Sequence, residues 1–240
     1  MSPPVPSFTF IVPALNEEKN VVAAVETITV AAQTAGLADY EIIIVDDGSS
    51  DDTAKVAEPI GERRAEITLL RNKTRQGVGK SFLAGVAIAR KEYCLIFPGD
   101  NEFSLDFLPD AVVALTSGAA EFVITYVSNP WTRPWRRRIL SGIYLRLFNL
   151  IFGTNFRYTN GIVVYPTGWI RSAPLVSGGY TFQSEALWRA HRMGKRFFDV
   201  GMTIRPRAHG KSKAVSLRVV AETLVALARM WRASRRSQRI

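Results

Sequence analysis

Two acidic turns and one basic motif hold most of the residues that could do chemistry in this 240-residue chain. The first turn, Asp46-Asp47-Gly48-Ser49-Ser50-Asp51-Asp52-Thr53, follows the apolar run Glu41-Ile42-Ile43-Ile44-Val45. Carboxylates at the exit of a buried strand suit a ribose, a base or a metal ion, because open α/β sheets bind ligands at the carboxyl ends of their strands. The second turn, Gly99-Asp100-Asn101-Glu102, follows Tyr93–Phe97. Asp100 and Glu102 are two residues apart, so both aim at one point if the turn curls. Hard cations such as Mg2+ or Mn2+ prefer such oxygen ligands and share them with a diphosphate. Between the two turns, Arg71-Asn72-Lys73-Thr74-Arg75-Gln76-Gly77-Val78-Gly79-Lys80 joins a strand to a helix. Its glycines allow close backbone approach, and its cations with the helix N-terminus favour phosphate. The spacing is neither that of a Walker A loop nor that of a dinucleotide-binding G-x-G-x-x-G.

The elements that must position these residues follow from periodicity. Strands are predicted at Phe8–Val12 (stopped by Pro13), Glu41–Val45, Ile67–Arg71, Tyr93–Phe97 and Glu121–Val127. Helices are predicted from Asn16 to about Ala32, from Thr53 to about Arg64 with a break or bend at Pro59, over Lys80–Arg90, and over 105–116. The alternation implies a mainly parallel, doubly wound α/β sheet. No strand is predicted after Val127.

Beyond that point the chain is different. Trp131-Thr132-Arg133-Pro134-Trp135-Arg136-Arg137-Arg138 leads into Ile139–Phe152, an apolar helix too short to span a bilayer comfortably. Trp and Arg flanking Leu, Ile and Phe is the composition of a helix lying in a membrane interface; a core or oligomer-interface helix is the plainer alternative. A last helix, roughly 215–235, ends among Arg229, Arg232, Arg235, Arg236 and Arg239, which suit both the helix dipole and anionic lipid.

Charge divides along the same line. Residues 1–130 hold 10 Lys/Arg and 18 Asp/Glu, a net −8, and residues 131–240 hold 21 and 3, a net +18. The basic half is expected to meet an anion: a phosphate-bearing substrate, an anionic membrane or nucleic acid. It lacks the interleaved aromatics or recognised module of a nucleic-acid binder, so no nucleic-acid partner is expected. The one cysteine, Cys94, lies in an apolar run and is expected to be a buried small hydrophobe. Met1–Pro6 has neither the basic region nor the apolar core of a signal peptide, and no run of about 18 apolar residues predicts a transmembrane helix.

Val12-Pro13-Ala14-Leu15-Asn16-Glu17, the Asp46–Thr53 turn, Asn72…Gly77-Val78-Gly79-Lys80 and Gly99–Glu102 occur in this order. Together the chain resembles family 2 glycosyltransferases of the GT-A (Rossmann-like) fold. Arg207-Ala208-His209-Gly210-Lys211-Ser212-Lys213 resembles the R-x-x-G-x-S-K ending of the dolichol-phosphate mannose synthase-like, polyprenyl-phosphate branch. The resemblance implies a catalytic domain over 1–213, with an interfacial region at 131–153, and a basic amphipathic helix over 214–240. It implies that Pro13, Ala14, Asn16, Glu17, Asp46, Asp47, Gln76, Lys80 and Gly99 bind the nucleotide-sugar. Asp100 would hold Mg2+ or Mn2+, with Glu102 at a position commonly Gln. Pro98 replaces the first acid of the D-x-D motif, and a catalytically silent scaffold is the outcome if that loss is decisive.

The family further implies inverting transfer from a UDP- or GDP-sugar, here to a polyprenyl phosphate, with peripheral attachment at the cytoplasmic face of a membrane. Arg133, Arg137, Arg138 and Ser141, with Arg207, Ser212 and Lys213, are candidates to hold the acceptor phosphate. An ionised phosphate needs no general base; a hydroxyl acceptor would need one. Among the three acids of the basic half, Glu185 is the candidate base, although a helix-start carboxylate explains it equally well.

Overall fold

The computed structural model describes residues 4–177, 179, 181–206, 223 and 225–232. Its order is β1 (Phe8–Ala14), α1 (Val21–Thr34), β2 (Tyr40–Asp46), α2 (Thr53–Arg63), β3 (Ile67–Arg71), α3 (Val78–Ile88), β4 (Tyr93–Ile96), α4 (Leu108–Thr116) and β5 (Phe122–Val127). After a 3-10 turn at Pro130–Thr132 come α5 (Trp135–Phe152), β6 (Val163–Pro166), α6 (Thr167–Ser172), α7 (Phe182–Arg192) and β7 (Phe197–Met202). Residues 225–232 are also helical.

Seven strands form one sheet in the order β3-β2-β1-β4-β6-β5-β7. Only β6 runs antiparallel to its neighbours. β1 is buried along its whole length and β2 almost so, because apolar layers cover both faces. Val21, Val25 and Ile28 of α1 pack on one face with Leu108 and Val112 of α4. Phe82 and Val86 of α3, Ile170 of α6 and Phe182, Leu187 and Trp188 of α7 pack on the other. Continuous apolar strands of this kind mark a parallel sheet sandwiched by helices. Gly85 lets α3 lie directly on β1, since a Cβ there would sit 2.5 Å from Ile11 Cγ2.

The alternating half of the chain follows its periodicity, with three differences. α1 starts at Val21, not Asn16, because Asn16 takes a left-handed backbone (φ 57°) and residues 15–20 form a loop. β1 continues through Pro13, whose carbonyl accepts the Gly99 N–H at 3.0 Å. α2 runs through Pro59 without a break; the carbonyl freed by Pro59 is that of exposed Lys55, where water can satisfy it. Beyond Val127 the structure adds β6 and β7 to the sheet, so the basic half completes the domain rather than hanging from it.

Candidate functional site

A cleft of about 710 Å3 opens at the carboxyl ends of β1, β2 and β4 and extends under α5. At one end the two loops after β1 and β2 are laced together. Asn16 Oδ1 accepts the Ser50 N–H at 2.9 Å, and Ser49 Oγ accepts the Asn16 N–H at 3.0 Å. Thr53 Oγ1 accepts the Glu17 N–H at 2.8 Å, and Asp51 Oδ2 accepts that of Glu18 at 3.3 Å. Asn suits position 16 because its short polar side chain tolerates a positive φ.

The acids of the first turn divide their work. Asp47 is buried and ties the 72–77 loop and the start of α3 to β2 through donors from Asn72, Gln76, Gly77 and Ser81. Burial raises its pKa, but these hydrogen bonds more than offset that and hold the carboxyl below its ordinary value. Asp46 Oδ1 caps the turn at the Ser49 N–H, 3.0 Å away, and Arg71 Nε lies 3.9 Å from Oδ2. Gly48 is required here (φ 74°), since a Cβ would meet Arg75 N at 2.9 Å.

Gly99 presses the exit of β4 against β1, leaving Asp100 and Glu102 on the cleft. Asn101 has a positive φ of 54°, and Asp100 Oδ1 accepts the Glu102 N–H at 3.2 Å. Among the described residues no group of three or more His, Cys, Asp or Glu could hold a metal ion. A hard divalent cation at Asp100 and Glu102 would therefore need further oxygens, such as those of a diphosphate, to complete its coordination.

Opposite lie Arg133, on the turn before α5, and Arg137 and Ser141, on its first turns. Arg133 Nη1 donates to Tyr158 Oη at 2.7 Å, and Arg137 Nη1 to Glu102 Oε1 at 3.3 Å. No acid stands in the first turn of α5, while Arg136, Arg137 and Arg138 do. Cations there oppose the helix dipole, and Arg137 is held instead by Glu102.

Pro13, Ala14, Asn16, Glu17, Asp47, Gly99, Asp100, Glu102, Arg133, Arg137 and Ser141 thus share one cleft. Asp46, Gln76, Lys80, Arg138 and Glu185 do not line it. Arg207, Ser212 and Lys213 lie outside the described residues, as does His209. Glu185 departs from its expected role as base. It is fully buried, accepting the N–H groups of Val176 (3.1 Å) and Ser177 (2.8 Å) and pairing with Arg189 at 2.8 Å. Its work is to anchor the chain before α7.

Tyr144, Tyr158, Asn160 and Gln183, which no motif marks, also line the cleft. The Asn160-Gly161 pair before β6 is the only local signal, a turn pair. Among the described residues the buried Arg133 Nε, Asn160 Oδ1 and Gln183 Oε1 make no hydrogen bond, so polar atoms of the cleft lining are left to be satisfied by a ligand or water. Burial pushes the Tyr144 phenol up to about 12, only partly offset by its hydrogen bond to Ser184, so it stays neutral. Cys94 is buried as expected, its thiol also pushed up to about 12.

The family model described as glycosyl transferase family 2 matches residues 9–176. The chain is 26% identical to an undecaprenyl-phosphate mannosyltransferase of Micrococcus luteus, with 94% of each chain covered. It is 28% identical to an uncharacterised glycosyltransferase of Mycobacterium bovis, over 93% of this chain and 96% of the relative. Among solved structures it is similar to glucosyl-3-phosphoglycerate synthase from Mycobacterium tuberculosis in complex with Mn2+, UDP-glucose and phosphoglyceric acid. That match has a TM-score of 0.68 at 21% identity and covers 93% of this chain and 80% of that one. The likeness shows that the sheet and its flanking helices form the GT-A fold.

Proposed function

Because the chain belongs to glycosyl transferase family 2, we propose that its cleft transfers a sugar, with inversion, from a nucleotide-diphospho-sugar to a polyprenyl phosphate at a membrane surface. One observation carries this choice of acceptor: the cleft opposes the Asp100/Glu102 carboxylates with the Arg133/Arg137 guanidiniums. The loops after β1 and β2 take the nucleotide. Asp100 and Glu102 would hold a Mg2+ or Mn2+, which would supply positive charge against the diphosphate leaving group. The UDP and Mn2+ or Mg2+ of the solved relatives support this end, and the undecaprenyl-phosphate relative supports the other.

Arg133, Arg137 and Ser141 hold and aim the acceptor phosphate, together with Arg207, Ser212 and Lys213. Its oxygen is already ionised, so positioning and electrostatics do most of the catalysis. The burial of Glu185 fits this requirement, since a hydroxyl acceptor would call for a base in the cleft.

The lipid end has a matching surface. Trp131, Trp135, Ile139, Leu150 and Ile151 are exposed along α5 and its approach, with Arg136, Arg138 and Arg146 among them. No helix among the described residues is long and apolar enough to cross a membrane. We place α5 in the headgroup region of an anionic cytoplasmic leaflet, its cleft-facing Leu140, Ile143 and Leu147 leading to the prenyl chain.

The test is glycolipid formation by the purified protein with polyprenyl phosphate, Mg2+ or Mn2+ and a panel of UDP- and GDP-sugars. Product from one donor class is expected. Glu185→Gln should lower stability while leaving the pH profile of transfer unchanged. No product from any donor overturns the proposal, and transfer to a hydroxyl lipid but not to the phosphate overturns the acceptor.

A further inference from the structure

Glu102 stands where the two ends of the cleft meet. Its Oε1 lies 3.3 Å from Arg137 Nη1 and 3.8 Å from Arg133 Nε. The side chains of Glu102 and Arg133 are each 8% exposed. One carboxylate oxygen therefore faces two guanidiniums, at separations longer than the ~2.7–2.9 Å of a tight charge-assisted hydrogen bond. Arg133 has a donor to spare, since its buried Nε makes no hydrogen bond among the described residues. Arg137 sits against the dipole of α5. Two cations held this close are tolerable because the Glu102 carboxylate lies beside them.

The same carboxylate belongs to the turn that faces the diphosphate. The Glu102 N–H donates to Asp100 Oδ1, which ties the two acids together. Its carbonyl accepts the Arg205 N–H at 2.7 Å, which fixes the backbone, so any change of partner falls to the side chain. A divalent cation at Asp100 attracts Glu102 in competition with the arginines.

We propose that Glu102 is a positioning residue that couples the two ends of the site. With the donor end empty it neutralises Arg133 and Arg137. With cation and nucleotide in place it turns to the cation, and both guanidiniums become available to the acceptor phosphate. The proposal rests on the reading of the cleft as a site for a nucleotide-sugar and a prenyl phosphate. Coupling of this kind is reciprocal: the phosphate must tighten cation binding by the factor by which cation tightens phosphate.

The experiment is calorimetric titration of farnesyl phosphate into the full chain alone, with UDP or GDP (whichever binds), and with that nucleotide plus Mn2+. In the native protein Mn2+ should tighten farnesyl phosphate about tenfold over nucleotide alone, within the usual range of coupling. Glu102→Gln keeps the shape and removes the charge. It should bind farnesyl phosphate about tenfold more tightly without cation, and Mn2+ should then change that affinity less than twofold. Equal tightening by Mn2+ in both proteins is the result of a cation bridging directly to the phosphate, and it overturns the proposal. So does Glu102→Gln binding no more tightly than the native chain.

Should that variant fail to fold, Mn2+ binding read by electron paramagnetic resonance decides on the native chain and Arg137→Gln. Farnesyl phosphate should tighten Mn2+ about tenfold in the former and clearly less in the latter; equal effects overturn the proposal. No sugar transfer is needed for any of these readings. A missing glycolipid product with intact coupling counts against the reaction, and product without coupling counts against Glu102.

Discussion

Four hydrogen-bond donors converge on the Asp47 carboxylate, from Asn72, Gln76, Gly77 and Ser81. They convert an acidic residue of the nucleotide end into the tie between β2 and α3. Asp47→Asn replaces one acceptor oxygen with an amide that points donor at donor, and hydrogen bonds to a charged group contribute about 1.5–3 kcal/mol. The variant should lose about 2 kcal/mol in urea unfolding at pH 7. The pH dependence has a definite sign. Because the folded carboxyl is held below its ordinary value, its contribution is complete above the unfolded pKa of about 3.9 and is lost as pH falls through the depressed folded value. The gap between native and Asp47→Asn stability should therefore be constant from pH 7 to about 5 and close under strongly acid conditions. A gap that widens on acidification would contradict this assignment. The motif was plain in the sequence, but the division of labour within it was not. Which of four neighbouring acids receives these donors depends on where residues 72–81 pack, and those residues reach Asp47 only in the folded sheet.

At the scale of elements, β1 to β5 were legible because buried parallel strands are uninterrupted apolar runs between turn residues. The Asn16 loop was not, because Glu17 and Glu18 resemble the first turn of a helix and the backbone reversal at Asn16 depends on the lacing to Ser49, Ser50 and Thr53. β6 and β7 were missed for another reason. Gly161–Tyr165 is an apolar run of strand length, but no alternation with helices marks it, and its antiparallel place between β4 and β5 is set by distant partners. α5 ends at Phe152 as expected but starts at Trp135, a turn before Ile139, and only Phe148 of it is buried. Ile139, Leu150 and Ile151 are exposed and do not line the cleft, so changing them tests lipid contact alone. Each converted to Glu should weaken co-sedimentation with phosphatidylglycerol vesicles about tenfold, the equivalent of roughly 1.4 kcal/mol of lost apolar burial per side chain. Melting temperature and nucleotide binding should be unchanged. Native-like vesicle binding by the triple variant would remove α5 from the membrane.

Across the whole molecule, the −8 half builds the carboxylate end of the cleft and the +18 half supplies Arg133 and Arg137. That division was visible in the sequence as composition; the return of the basic half into the same sheet through β6 and β7 was not, and it is what brings the two ends together. A consequence can be measured by thermal unfolding. The described residues offer no self-sufficient metal cage, so Mg2+ or Mn2+ alone should shift the melting temperature little, and nucleoside diphosphate alone only modestly. Together they complete one another's coordination. A ligand at 100 times its dissociation constant stabilises by about 2.7 kcal/mol. For a chain of this size each kcal/mol raises the midpoint by about 2–4 °C, so the pair should add about 5–10 °C. Asp100→Asn should abolish the part that depends on the cation and keep the part due to nucleotide. Simple addition of the two separate shifts would show that cation and nucleotide bind apart, and the carboxylates at the exit of β4 would then have no part in holding the diphosphate.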